Sequence, residues 1–381
     1  MPNKQSFSLV QITWISLISG VHLLFVNCLP YFLQILGRVH GLSEVGLGDI
    51  ASAYAAGTAA TTLTSPWWLG KIAIRKAAMV QIAVVLFGLI GAVRLDTLLT
   101  LIAAFLVIGT GAGGLYALVI SVLGLSADPV RAYGIKVALG SLPAMACLSL
   151  FPVIFEGSSL TPIFALTGLI VVLLCAGIFS LPRYLRLPVV EHQDGPNYQV
   201  WVALIALTLY MSGFYLIWPF IGIVGEQRTL SESAIGQILA LSTVAATGTA
   251  FLAAACGDRI SRRLSLVTTM VVSLCGLSMM AFSSHMIGFA TGVVLFIGPS
   301  GFAIPLITGL IARLDIGARR VGLSAAAITF AAVIGPAMGG RIIAHSSFAV
   351  ASLLSATIIL SAIAVQIIQL QFLKREMLIG K

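Results

Sequence analysis

The stretch TLLTLIAAFLVIGTGAGGLYALVISVL, residues 97–123, decides the fold class. It carries no charged side chain and is long enough to cross a bilayer as one α-helix, which takes roughly 20 apolar residues. Inside it Gly109, Gly111 and Gly114 spell GxGxxG. That dinucleotide fingerprint works only where a strand turns into a helix, with an acidic residue about 20 positions on. Here the glycines lie within a long apolar run with no strand before it, so a nucleotide site is excluded.

Outward from this stretch the same pattern recurs. Spanning helices are predicted at 10–36, 46–69, 77–94, 97–123, 132–155, 160–182, 199–224, 233–256, 264–284, 287–312, 320–343 and 347–372. The runs are too long and too evenly apolar for the alternating segments of a membrane barrel. A continuous helix also satisfies its backbone polar groups internally, as lipid requires. Of the 381 residues 59% are hydrophobic and 9% charged, against about 45–50% and about 25% in soluble domains. An all-α integral membrane protein follows, with twelve transmembrane helices in two pseudo-symmetric six-helix bundles.

The net charge of +9 would suggest nucleic acid on a soluble protein. Here the basic residues sit in short clusters between apolar runs, so no nucleic-acid partner is expected. Alternate loops, counted from the N-terminus, hold 17 of the 21 Lys and Arg residues, among them Lys4, Lys71, Arg131 and Lys136. The positive-inside rule then puts both termini in the cytoplasm of a multi-pass protein of the cell (inner) membrane. The opposite side keeps Arg38, Arg94, Arg228 and Arg341, and snorkelling to the headgroups is the expected role of Arg38 and Arg341. The five cysteines form no CxxC pair, so neither a disulfide framework nor a metal site is expected. No cofactor motif occurs. The first helix reads as retained, not as a cleaved signal.

The polar stretch 188–198, with Pro188, Glu191, His192, Asp194, Gly195 and Pro196, reads as a cytoplasmic linker between bundles 1–187 and 199–381. A shift of 188 residues brings these halves into register. Leu42, Ser43, Glu44, Gly48 and Ile50 fall on Leu230, Ser231, Glu232, Gly236 and Ile238; Lys71, Arg75, Gly88, Arg131 and Gly134 fall on Arg259, Arg263, Gly276, Arg319 and Gly322. Convergent capping by serine and glutamate would account for the Leu-Ser-Glu match alone, but not for the rest. Duplicated halves in one orientation place a site at their interface, near the bilayer midplane.

With this layout, Gly257-Asp258-Arg259-Ile260-Ser261-Arg262-Arg263 resembles the loop signature of the major facilitator superfamily, whose Asp-Arg-x-x-Arg-Arg part it matches. Ser261 stands where the signature has a glycine. The resemblance implies a gating charge network of Asp258, Arg259, Arg262 and Arg263 at helix ends. The first-half counterpart, Gly70 to Lys76, lacks the aspartate. Gly335-Pro336-Ala337-Met338-Gly339-Gly340 resembles the family's Gly-Pro-x-x-Gly-Gly motif, although family exporters usually carry it in helix 5. Here it is expected to let Gly335 and Pro336 flex helix 11. Family members often place an arginine four residues before the helix 4 glycines, where this chain has Phe105. That departure speaks against arginine-dependent proton antiport.

The resemblance further implies that helices 1, 4, 7 and 10 line the transport path. Polar and aromatic groups there make His22, Asn27, Tyr31, Tyr116, Tyr210, Tyr215 and Trp218 the substrate-binding candidates, with Tyr54 from helix 2. A lone Trp or Tyr near a span end is more often an interface anchor, and a lone membrane His is more often structural. As a set, rings with a few amides and hydroxyls suit an organic solute with apolar faces. No carboxylate is expected mid-span; the deepest are Asp49, Glu226 and Asp258. A fairly apolar solute, neutral or weakly anionic, fits this lining. His22 and Asp49 are the candidate proton carriers if transport is proton-coupled.

The leading expectation is therefore a non-enzymatic, monomeric secondary transporter with a small-molecule substrate and membrane lipid as its partners. A multidrug-type efflux pump and a non-transporting sensor on the same scaffold are the alternatives. A membrane enzyme would need paired carboxylates or an HExxH helix, and the chain has neither.

Overall fold

Hydroxyl side chains show how this sequence lives in lipid. Ser16 donates to the carbonyl of Ile12 at 2.6 Å, Thr62 to that of Thr58 at 2.8 Å, and Thr208 to that of Leu204 at 2.9 Å. Each polar group is thus satisfied within its own helix, where no water could serve it. The computed structural model describes residues 8–69, 71–123, 129–181, 198–256, 262–283, 285–314 and 322–379. Among these residues there is no strand.

The helices are α1 (Leu9–His40), α2 (Glu44–Trp68), α3 (Ile74–Arg94), α4 (Leu98–Leu123), α5 (Pro129–Ile154), α6 (Leu160–Leu174), α7 (Tyr198–Ile217), α8 (Ile221–Gln227), α9 (Glu232–Cys256), α10 (Arg262–Phe282), α11 (Met286–Ile297), α12 (Ser300–Leu314), α13 (Gly322–His345) and α14 (Phe348–Ile379). Two breaks split single spans. A 3₁₀ turn at Trp218–Phe220 separates α7 from α8, and Gly298-Pro299 separates α11 from α12. Each break contains a proline, which cannot donate to the preceding turn. Rejoined, the segments give the twelve expected rods. Eleven are apolar enough to span by composition. The twelfth, α2, has the length but is diluted by Glu44, Asp49 and a run of Ala, Gly and Thr.

Caps fix where the rods begin and end. Ser8 and Gln11 form a reciprocal capping box on α1. α1 ends on Gly41 at φ 62°, and the Leu42 amide donates to the Gly37 carbonyl at 3.2 Å, the left-handed stop in which glycine bears no Cβ penalty. The α8–α9 turn repeats it 188 residues later: Thr229 has φ 60°, and the Leu230 amide donates to the Gly225 carbonyl at 3.1 Å. Ser43 then accepts from the Gly46 amide at 3.4 Å, and Ser231 from the Ala234 amide at 3.2 Å.

The same offset governs helix packing. Thr61 donates to the Thr110 carbonyl at 2.9 Å, tying α2 to α4; Thr249 donates to the Gly298 carbonyl at 2.5 Å, tying α9 to the end of α11. A Cβ on Gly113 would lie 2.7 Å from Thr61 Oγ1, and one on Gly301 would lie 2.7 Å from Thr249 Oγ1. The close approaches are therefore built from equivalent residues in both halves.

Two compact units emerge. One holds Met1–Pro188 with Pro219–Thr243; the other holds Val189–Trp218 with Val244–Lys381. In the first, α1 packs on α5, α2 on α4, and α3 on α4 and α6, while α8 lies against α1. The start of the α8–α9 segment is seated on the first six helices by glycines. A Cβ on Gly222 would lie 2.6 Å from the Pro30 carbonyl oxygen, and one on Gly236 would lie 2.4 Å from that of Leu148. In the second unit α7 packs on α13 and α14, and α10 on α11 and α14. Ser355 of α14 donates to the Gly213 carbonyl at 2.7 Å.

Candidate functional site

Close backbone contact in the first unit assembles its polar cluster. A Cβ on Gly109 of α4 would lie 2.0 Å from the Tyr54 carbonyl oxygen. Only glycine lets α4 press this closely on α2, and the press fixes Tyr54. On the other side of α1, a Cβ on Gly20 would lie 3.2 Å from the Gly140 carbonyl oxygen. That contact draws α5 onto α1 one turn from Lys136.

Three aromatic rings and an ammonium result. The Tyr54 hydroxyl lies 3.1 Å from His22 Nδ1 and 3.4 Å from the His22 carbonyl oxygen. The His22 and Tyr54 rings are near parallel, 6.2 Å between centroids and 14° apart. Tyr116, two turns past Gly109, sets its ring 4.6 Å from that of His22 at 43°. Lys136 Nζ sits 4.2 Å from the centroid of the Tyr116 ring, within cation–π range. Lys136 is 4% and Tyr54 3% exposed. His22, Leu23, Val26 and Asn27 form a half-exposed stripe along α1, and Tyr116 is half-exposed on α4.

Three of the expected first-half residues, His22, Tyr54 and Tyr116, thus meet. Asn27 lies on the same open stripe. Tyr31 is fully buried, its ring 6.2 Å from that of Phe32. Lys136 was missed. It reads as a loop charge in the sequence, but α5 begins at Pro129, so Lys136 is its eighth residue and lies two turns inside. The available signal was its apolar flanks, Ile135 and Val137. Removing it from the loop tally lowers the cytoplasmic count by one and leaves its direction unchanged.

In the second unit Tyr215 and Trp218 belong to an aromatic group centred on Phe214. Phe214 stacks on Trp218 at 5.9 Å and on Phe296 at 5.3 Å, and meets Tyr215 edge-on at 5.5 Å. Trp218 is 2% and Tyr210 1% exposed, so the tryptophan is a packed group instead of an interface anchor. Gly335 and Pro336 are buried in α13, where a Cβ on Gly335 would lie 2.8 Å from Tyr215 Cβ.

Of the gating candidates, Asp49 is half-exposed in the second turn of α2. Asp258 and Arg259, and the side chains of Arg262 and Arg263, lie outside the described residues. The structure offers another charged contact instead. Arg38, at the end of α1, forms an ion pair with Glu232, at the start of α9, so it does not snorkel. Gln227, at the end of α8, donates to Glu44, at the start of α2, at 3.1 Å. Glu226, expected among the deeper carboxylates, is exposed, whereas Glu232 is 8% exposed. Among the described residues no cluster of His, Cys, Asp and Glu could hold a metal ion.

Among the described residues the fold is all-helical, with eleven helices long and apolar enough to cross a membrane. No family model and no curated protein matches the sequence. Solved structures do share the fold: a mutant form of the nucleoside transporter NupG, at TM-score 0.73 and 12% identity, covers 94% of this chain and 99% of its own. NupG itself gives TM-score 0.71 at 10% identity over 96% and 99%. Both are described as a nucleoside transporter.

Proposed function

We propose that this chain is a secondary transporter of the major facilitator type, moving a small organic solute across a cell (inner) membrane by alternating access. The observation that carries the reading is a twelve-rod fold shared with a nucleoside transporter over nearly the full length of both chains. At such low identity the likeness concerns fold, so the substrate must be argued from the side chains. The rings of His22, Tyr54 and Tyr116 favour a solute with flat apolar faces, and Tyr215 and Trp218 are aromatic candidates of the same kind. Nucleosides, as neutral solutes with an aromatic base, are the first compounds to test.

In this reading residues 1–187 and 199–381 are the two moving halves, 188–198 is the linker, the termini are cytoplasmic and the working unit is a monomer. Asn27, Tyr31 and Tyr210 complete the binding set. Asp258, Arg259, Arg262 and Arg263 form the cytoplasmic gate, and Gly335 and Pro336 allow α13 to flex. Arg38–Glu232 and Glu44–Gln227 are the outer closure. Proton coupling, if it operates, runs through His22 or Asp49. The test is uptake into proteoliposomes of labelled nucleosides, aromatic acids and neutral amphiphiles, with and without a pH gradient. Saturable flux of at least one class is expected; none from any class overturns the reading.

A further inference from the structure

Lys136 is a buried charge inside α5. Among the described residues it has neither an ion-pair partner nor a hydrogen-bond acceptor, and its ammonium stands against the Tyr116 ring. An ammonium carries three donors, and a π-face answers one of them. The described carboxylates of the first unit, Glu44, Asp49, Asp96, Glu156, Glu226 and Glu232, all lie at or near helix ends. Arg38 is already occupied by Glu232. A charge buried without a counter-ion is costly, and an ionisable group inside a membrane span usually marks a substrate or ion pathway.

We propose that Lys136 recognises the carboxylate of an aromatic monocarboxylic acid whose ring lies against His22 and Tyr116; this rests on the transporter reading above. The ammonium is a single point charge with no guanidinium beside it among the described residues. It therefore suits one carboxylate better than a phosphate, which calls for a fork or several donors. The half-exposed faces of His22, Asn27 and Tyr116 leave the cluster reachable from one side. The tilted His22 and Tyr116 rings offer a flat solute an aromatic wall. Burial strengthens the ion pair once water is displaced.

The test uses the purified full-length protein and matched acid–amide pairs: benzoate with benzamide, phenylacetate with phenylacetamide, nicotinate with nicotinamide. Binding is read by thermal unfolding at constant ionic strength. At least one acid should bind more tightly than its amide. Lys136→Gln should lose about tenfold or more in affinity for that acid and keep its affinity for the amide, while Lys136→Arg retains the acid preference. Lys136→Met supplies the same comparison if the glutamine variant does not fold, since it leaves no buried amide to satisfy. Acids that bind no better than amides, or bind Lys136→Gln as they bind the wild type, overturn the assignment. So does equal loss of acid and amide flux with binding intact, which would make Lys136 a coupling residue. Acid binding without flux in proteoliposomes would instead refute transport and leave the assignment standing.

Discussion

Tyr54 shows how one side chain can hold a membrane site together. Its hydroxyl reaches the His22 ring and its carbonyl lies against Gly109, so a single residue registers α1, α2 and α4. Tyr54→Phe keeps the ring and removes the 3.1 Å contact. A loss of about 0.5–1.5 kcal/mol is expected, seen as a lower unfolding midpoint and a weaker response to any stabilising solute. Thr229 makes the opposite case. It holds φ 60° where its counterpart is Gly41, and a β-branched residue is strained there. Thr229→Gly should stabilise the protein by about 1 kcal/mol, measured by thermal unfolding. At this scale the sequence was informative about residue type and silent about pairing. His22, Tyr54 and Tyr116 stood out as polar groups in apolar runs. Nothing in their spacing says that His22 meets Tyr54, 32 positions away, because helix packing makes that contact. Lys136 was obscured by its nearness to Arg131 and a helix start, where basic residues ordinarily report topology.

Helices were legible because lipid imposes a long, uniform signal, and each predicted span has its rod. The breaks at Trp218–Phe220 and around Pro299 were not foreseen, since hydropathy is blind to a proline that interrupts hydrogen bonding without interrupting apolarity. The packing of rods depends on glycine. Gly109→Val would drive a side chain into the Tyr54 carbonyl, and Gly301→Val into that of Ala246, where a Cβ would stand at 1.8 Å. Each should cost about 1–3 kcal/mol or more and lower the yield of folded protein in size-exclusion chromatography. Gly248 is the control: a Cβ there meets nothing within 4 Å. Gly248→Ala should be neutral or gain up to about 1 kcal/mol from helix propensity.

At the scale of the whole molecule, segment Pro219–Thr243 belongs to the same compact unit as the first six helices. The alternating access proposed above would require such an attachment to be broken in each cycle. Replacing both Arg38 and Glu232 by cysteine gives a bifunctional methanethiosulfonate two thiols to bridge across the space the ion pair fills. The cross-linker should abolish flux and reductant restore it, while either single replacement treated in the same way keeps its flux. The repeat that frames this scale was legible in the Leu-Ser-Glu match and the glycines. The contacts between its copies were not, because charge sidedness counts residues without saying which of them touch.

The two polar contacts of that attachment are reciprocal. The end of α1 reaches the glutamate that opens α9, and the end of α8 reaches the glutamate that opens α2; Glu44 and Glu232 stand exactly one repeat apart in the chain. The 188-residue shift pairs the two glutamates but places Arg38 on Glu226, so the contacts match in position and differ in chemistry. The left-handed turns beside the two contacts differ as well: one holds glycine and the other threonine.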